Sequence, residues 1–377
     1  LLLQIGLAVF ILKTETGQAT FQWLGDSINT LLGQADKGAQ FVFGSLVDRK
    51  LMSQAFGAGN DYIFFFKVVP TIIFVAVLVN MFYYLGILQR VVAIIGKGVH
   101  WLMGVSGAEA LSNVASTFVG QVEAQIMIKP YLKNMTNSEL MASMTGSFAC
   151  IAGGVMAVYI SLGVPAAYLL AASLMAAPGA LVISKIMFPE TEKSETEGEV
   201  KLELSKTHAN LVDAIAAGAS EGLKVGLNVI AMLIGFIALI ALVDLGLGHI
   251  GAWVNYPELS MNTILGKVFS VFAFAMGVPA QDIEVAGALM GKKMVVNEFV
   301  AYLDMVHLKA TLDPKTIAIT SFALCGFANF SSVAIQIGGI GELAPSRRSD
   351  LAKLGFKALI AGTLASYLSA TLAGLLL

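Results

Sequence analysis

The chain has 377 residues, 57% of them hydrophobic and 13% charged, with a mean hydropathy of +0.79 and a formal net charge of −2. A soluble domain carries about 25% charged residues, so this composition places the chain in a membrane, and the near-neutral balance gives no nucleic-acid surface. Four scattered histidines, two cysteines in apolar runs (Cys150 and Cys325, read as buried spectators) and no G-x-x-x-x-G-K-[ST] sequence leave no zinc spacing, no disulfide framework and no ATP-driven machine.

The first apolar run, Leu1 to Leu12, falls short of the roughly 20 residues that span a bilayer. Without a basic flank and a cleavage site it is no signal peptide, and it reads as the end of a transmembrane helix that starts upstream. Lys13 to Asp61 mixes Asp26, Asp36, Asp48, Arg49 and Lys50 with scattered aromatics, which predicts amphipathic helix and loop over one face. Tyr62 to Leu85 reads as a spanning helix kinked at Pro70. Arg90 to Met103, with Arg90, Lys97 and His100 among apolar residues, reads as an interfacial helix.

Glu109 to Leu132 is apolar but contains Ser112, Asn113, Ser116, Gly120, Gln121 and Glu123. In one continuous span these groups would face lipid at high cost, so the stretch reads as a re-entrant hairpin with its tip at Gly120-Gln121. Leu140 to Leu162 follows as a helix broken at Gly153-Gly154, Pro165 to Phe188 as a span, and Pro189 to Lys206 as a Glu-rich solvated linker. Leu223 to Leu247 is a long apolar helix, and Leu259 to Met276 mirrors Arg90 to Met103. Gln281 to Leu308 forms a second hairpin, Ile317 to Ile340 a Gly-broken helix, and Leu354 to Leu376 the last span.

The basic loop at Arg347, Arg348 and Lys353 is cytoplasmic by the positive-inside rule. Counting back, the linker also lies inside and the first hairpin enters from the cytoplasm. Three spans separate the hairpins, so the second enters from outside. The fold expected is an all-α polytopic membrane protein, an inverted repeat with two re-entrant hairpins and discontinuous transmembrane helices. Lys292 and Lys293, near the second tip, have no role in this reading.

The two copies match in detail: 24 positions separate Glu123 from Ser147, and 23 separate Glu298 from Ser321. A carboxylate inside a membrane is expensive, which makes function its first explanation. Glu123 and Glu298 each stand by an amide, Gln121 and Asn297, and Asn329 and Ser332 are three apart on one helix face. Such donors and acceptors, with no Arg or Lys evident beside either carboxylate, suit a neutral solute such as a nucleoside or sugar. The plainer alternative is interhelical hydrogen bonding that only holds the bundle together. A channel would need a continuous polar pore, and a membrane enzyme a metal set or a nucleophile–base pair. The pattern favours a secondary transporter.

Gly120-Gln121-x-Glu123-Ala124, Asn297-Glu298-Phe299-Val300-Ala301-Tyr302 and Cys325-Gly326-Phe327-Ala328-Asn329-Phe330-Ser331-Ser332 resemble the signatures of the concentrative nucleoside transporter family, bacterial type. The resemblance runs over residues 1 to 377 and implies a non-enzymatic symporter of the bacterial inner membrane. It implies a homotrimer embedded in lipid, a nucleoside as substrate, and no cofactor beyond a coupling ion, Na+ or H+. It implies a scaffold at 1–104, with the spanning helix at 62–86 and the interfacial helix at 88–104. The first transport repeat would be 105–190, a cytoplasmic linker 191–210, further scaffold 211–277 and the second repeat 278–377. Gln121 and Glu123 would hydrogen-bond the nucleobase, with Val155 packed against it. Glu298, Asn329 and Ser332 would bind the ribose, and Phe327 would close over it. Sodium would sit at the Ser116 side chain, the Val119 and Ile151 carbonyls and the Cys150 position. The chain departs from the family at Ser116 (usually Asn), Val122 (usually Thr) and Cys150 (often Ser or Thr). A hard cation prefers oxygen ligands, and proton-coupled relatives carry Ser at the Ser116 position, so weak sodium coupling and proton coupling both stay open.

Overall fold

The protein is described here by a computed structural model over residues 1–57, 63–197 and 208–377. The expected helix start at Tyr62 and half of the 191–210 linker, residues 198–207, lie outside the described residues. Within them every regular element is helical, and five helical stretches are long and apolar enough to cross a membrane.

Helix α1 (Leu2–Lys13) stops at Thr14, whose hydroxyl accepts from Gly17 N and so caps α2 (Glu15–Leu32). Then come α3 (Gln34–Phe43), a 3-10 turn, and α4 (Arg49–Phe56), capped by Asp48. The segment expected as helix and loop is therefore a near-continuous run of short helices. Gln4 is fully buried and donates to Met175 O and Ser369 Oγ, where Gly179 leaves room for it. Spanning helix α5 (Phe64–Tyr84) runs through Pro70, and α6 (Ile87–Met103) is the amphipathic helix that was expected.

The first hairpin pairs α7 (Gly107–Phe118) with α8 (Glu123–Met127) and α9 (Lys129–Leu132). At 12 residues α7 rises only about 18 Å, so the hairpin cannot cross the core. Gly120 turns the chain at φ +149°, a backbone state that favours glycine. The helix after it is α10 (Asn137–Ala149) followed by α11 (Gly153–Leu162). Its break falls at Cys150 to Ala152, not at Gly153-Gly154 as the sequence suggested. Helix α12 (Ala166–Met187) then returns. Two capping boxes open the repeat, Ser106 with Glu109 and Thr136 with Glu139.

The start of the linker is mostly exposed, with two exceptions. Ser194 and Thr196 are buried and each donates a 2.5 Å hydrogen bond to Glu139, while Thr196 O accepts from Gly107 N. Lys185 pairs with Glu109 at 2.7 Å. The segment ties down the two helix starts that the capping boxes begin.

Next comes α13 (Leu211–Trp253), capped by Asn210 and much longer than the 223–247 run predicted. Gly218, Gly222 and Gly226 let it lie antiparallel on α5; a Cβ at Gly222 would stand 2.6 Å from Ile73 Cα. Helix α14 (Met261–Ala275) packs glycine to glycine on α15 (Ile283–Val295) through Gly266 and Gly287. The second hairpin closes with α16 (Glu298–Leu308). The second broken helix is α17 (Pro314–Leu324) and α18 (Phe330–Leu343), with Gly326 at φ +148° in the break. The basic loop is one 3-10 turn, and α19 (Arg348–Leu376) begins at its edge.

The inversion is visible in who meets whom. Arg347 donates to the carbonyls of Leu132, Lys133 and Met135 and to Asn137 Oδ1, so the feet of the first hairpin share the basic end of the molecule. The feet of the second hairpin meet the opposite end: Lys309 donates to Gly163 O, and Asp282 accepts from Asp313 N and Thr316 Oγ1.

Candidate functional site

The two breaks touch. Phe327 N donates to Cys150 O at 3.2 Å, and a Cβ on Gly326 would stand 2.8 Å from the carbonyls of Phe148 and Ala149. Both cysteines are buried, unpaired C-caps of a first half-helix, Cys150 ending α10 and Cys325 ending α17. Reading them as spectators misses that they occupy matching places.

At the second tip Asn297 caps α16 by accepting from Val300 N, so its amide oxygen already has a backbone partner. Glu298 is buried. Its Oε2 accepts from Asn329 Nδ2 at 3.1 Å and its Oε1 from Tyr159 OH at 2.9 Å. Asn329 in turn caps α18, its Oδ1 accepting from Ser332 N and Ser331 Oγ. Glu298, Asn329 and Ser332 thus form one buried polar unit that joins hairpin to broken helix. Tyr159, contributed by α11 of the other repeat, completes it, and no local sequence signal marks it.

At the first tip Glu123 is exposed and its carboxylate folds back over Gly120. Gln121 is half-buried and its Oε1 has no hydrogen-bond partner among the described residues, an unusual condition for a buried oxygen. Val155 and Phe327 are half-buried at the start of α11 and in the second break.

The expected ion ligands form a second cluster. Ser116 is buried, and its Oγ donates to Ser112 O at 2.8 Å and lies 3.1 Å from Ser147 Oγ. Gln125 Nε2 donates to Ser147 Oγ, and Ser143 Oγ to Gln125 Oε1. Thr117 Oγ1 lies 3.4 Å from Cys150 Sγ, which brings a hydroxyl to the position where the thiol is a poor ligand. Val119 is the C-cap of α7, and Ile151 is fully buried in the break. The sequence reading missed Thr117 and Ser147. Ser147 could have been found from its match with Ser321. Among the described residues no group of His, Cys, Asp and Glu is arranged to hold a metal.

Lys292 and Lys293 now have places. Lys292 pairs with Asp304 across the arms of the second hairpin. Lys293 is buried and donates to Ala323 O at 2.8 Å. It stands five residues before Glu298 but forms no ion pair with it among the described residues.

Three family models match the chain. One described as Na+ dependent nucleoside transporter N-terminus covers residues 1–46, one described as nucleoside recognition covers 65–166, and one described as Na+ dependent nucleoside transporter C-terminus covers 168–374. The chain is 45% identical over 381 residues to an uncharacterized transporter of Haemophilus influenzae, covering 100% of this chain and 89% of the relative. It is 39% identical over 378 residues to nucleoside permease NupC of Helicobacter pylori, covering 99% and 89%. Its fold is similar to that of CNTnw in an inward-facing substrate-bound state, with a TM-score of 0.94, 40% identity, and 100% and 89% of the two chains covered. With the mirrored hairpins and the paired broken helices, these matches show that the chain is a multi-pass membrane protein belonging to the concentrative nucleoside transporter family, whose members are transporters and not enzymes.

Proposed function

We propose that the chain is a sodium-coupled symporter that brings nucleosides into a bacterial cell across the cytoplasmic membrane, with the basic end of the molecule facing the cytoplasm. Glu298, Asn329 and Ser332 bind the ribose hydroxyls, and Phe327 covers the sugar. Gln121 and Glu123 bind the base beside Val155. The observation that carries this reading is the buried unit at the second tip. A carboxylate there is held by Tyr159 and Asn329, and among the described residues no Lys or Arg pairs with it. A carboxylate so held is an acceptor for a neutral polyol, and the partnerless Gln121 Oε1 offers another acceptor at the facing tip.

Sodium binds in this reading between the first tip and the first break, at Ser116, the Val119 and Ile151 carbonyls and the Cys150 position, with Thr117 and Ser147 adding hydroxyl oxygens. Unwound carbonyls near half-helix ends are the ligands broken-helix carriers use for cations. The scaffold is 1–104 and 211–277; the repeats at 105–190 and 278–377 move as the transport unit, and three copies assemble in the membrane. The competing reading is proton coupling. It draws on the thiol at position 150 and on the Ser116 hydroxyl, already engaged by Ser112 and Ser147.

The purified protein in liposomes should exchange labelled uridine in counterflow. An inward sodium gradient at fixed pH should then drive accumulation. Ser116→Asn should lower the sodium concentration for half-maximal uptake, because an amide carbonyl is a stronger ligand than a hydroxyl. Accumulation under an inward proton gradient alone, with no response to sodium, would replace sodium by the proton. Absence of counterflow would overturn nucleoside carriage itself.

A further inference from the structure

The inverted repeat sets two residues in matching places. Ser116 stands two residues before the end of α7, and Lys293 two residues before the end of α15. Each reaches across to the last turn of the next half-helix. Ser116 Oγ meets Ser147 Oγ near the end of α10, and Lys293 Nζ meets Ala323 O near the end of α17. The carbonyls of a helix's last turn lack intrahelical partners, and the end carries about half a negative charge. In the first repeat a neutral hydroxyl faces that end, beside the carbonyls proposed to hold the coupling ion. In the second repeat an ammonium faces it.

We propose that Lys293 is the second repeat's built-in cation. It does at the end of α17, and for Glu298 at the substrate site, what the exchangeable ion does at the end of α10. The inference rests on the nucleoside and ion sites proposed above. It deepens them by fixing the number of exchangeable cations at one.

Lys293 is 1% exposed, and among the described residues it makes no ion pair. Its neighbour Lys292 has Asp304 and needs no further explanation. A buried ammonium is costly unless its charge is compensated. What compensates Lys293 is a helix end, through Ala323 O, with Glu298 five residues on and buried at the hairpin tip. A tethered ammonium cannot leave with the substrate. The second repeat therefore keeps its compensation through the whole cycle, and only the first repeat exchanges its cation with solution.

The test has two arms. In the first, wild-type protein in liposomes is clamped at set voltages, and the reversal potential of uridine-coupled current gives the charge moved per uridine. A single positive charge is expected; two would show a second exchangeable cation and overturn the proposal. In the second, uridine binding is measured by calorimetry for Lys293→Arg, Lys293→Met and Lys293→Ala. The neutral variants should lose about tenfold or more in affinity, and Lys293→Arg should lose less. Ethylammonium should restore binding to Lys293→Ala, where it fits the space left by the side chain, and should do nothing for Lys293→Met, where the space is filled. Tetramethylammonium, with no hydrogen to donate, should restore neither. Near wild-type binding by Lys293→Met, or a loss in Lys293→Ala that ethylammonium leaves untouched, would reduce Lys293 to a clamp between hairpin and helix. If the neutral variants do not fold, the wild-type charge count still decides. Wild-type protein that binds no uridine overturns the nucleoside reading and this inference with it; wild-type protein that binds uridine and moves two charges overturns this inference alone.

Discussion

Tyr159 shows what a single residue adds that the sequence could not reveal. Glu298, Asn329 and Ser332 were legible because each lies in a polar motif inside an apolar run, where its cost demands an explanation. Tyr159 lies among Val158, Ile160 and other apolar residues of α11, 139 positions from the carboxylate it serves. Only the fold brings the two together at 2.9 Å. Tyr159→Phe keeps the ring and its contacts with Phe299 and Tyr302 but removes the donor to Glu298 Oε1. Leaving a buried acceptor without its partner costs about 1–3 kcal/mol, so uridine affinity should fall roughly tenfold. If Tyr159 acts by aiming Glu298 at the ribose, 2′,3′-dideoxyuridine should bind weakly to both proteins and lose little on substitution. Calorimetry with the two ligands on the two proteins checks this. Equal losses for both ligands would make Tyr159 a packing residue with no part in sugar recognition.

At the scale of elements, hairpins and spans follow from hydropathy and polar interruption, and most came through with small shifts of boundary. The break in the first discontinuous helix did not. Gly153-Gly154 resemble a breaker, yet they start α11; a Cβ at Gly153 would stand a tight 3.1 Å from Phe118 O, whereas one at Gly154 would make ordinary contact with Val75 at 3.5 Å. The helix ends earlier because Cys150 turns extended and gives its carbonyl to Phe327 N of the other repeat. That reason is tertiary, and no local pattern carries it. Gly326 is the matching case in which glycine does make the break, with φ at +148° and the Phe148 and Ala149 carbonyls 2.8 Å from where a Cβ would stand. Gly326→Ala must strain the backbone and push the two breaks apart at once. It should lower the thermal midpoint of the purified protein by several degrees and abolish uridine uptake, whereas Gly338→Ala, with open space around it, should do neither. A Gly326→Ala protein as stable and as active as wild type would mean that the contact between breaks is dispensable.

The whole molecule has two kinds of surface. Helices α12 and α19 each have 67% of an 18-residue apolar stretch buried, whereas α13 has 11%. This helix is 43 residues long, or about 64 Å, roughly twice the hydrocarbon core. It holds the bundle mainly through its glycine edge on α5, and it presents Leu227, Ile234, Ile237 and Leu242 outward. Gly235, Gly246 and Gly248 have nothing within 4 Å of where a Cβ would stand, so the exposed side of α13 admits close approach by another helix. Lipid alone would cover the apolar side chains, but it gains nothing from glycine-lined hollows, and small residues in membrane helices serve contacts between helices. The paired α5 and α13 therefore suit the centre of an assembly better than its rim, with the hairpins and broken helices outside and free to move. The proposed homotrimer fits that arrangement. Native mass spectrometry from nanodiscs should find three chains of 39.7 kDa together, and a bulky residue at the exposed glycines, as in Gly235→Trp with Gly246→Trp, should shift the population toward single chains while uridine binding survives, because each copy holds a complete site. A single chain in nanodiscs before any substitution would leave α13 facing lipid along its length and overturn the trimer.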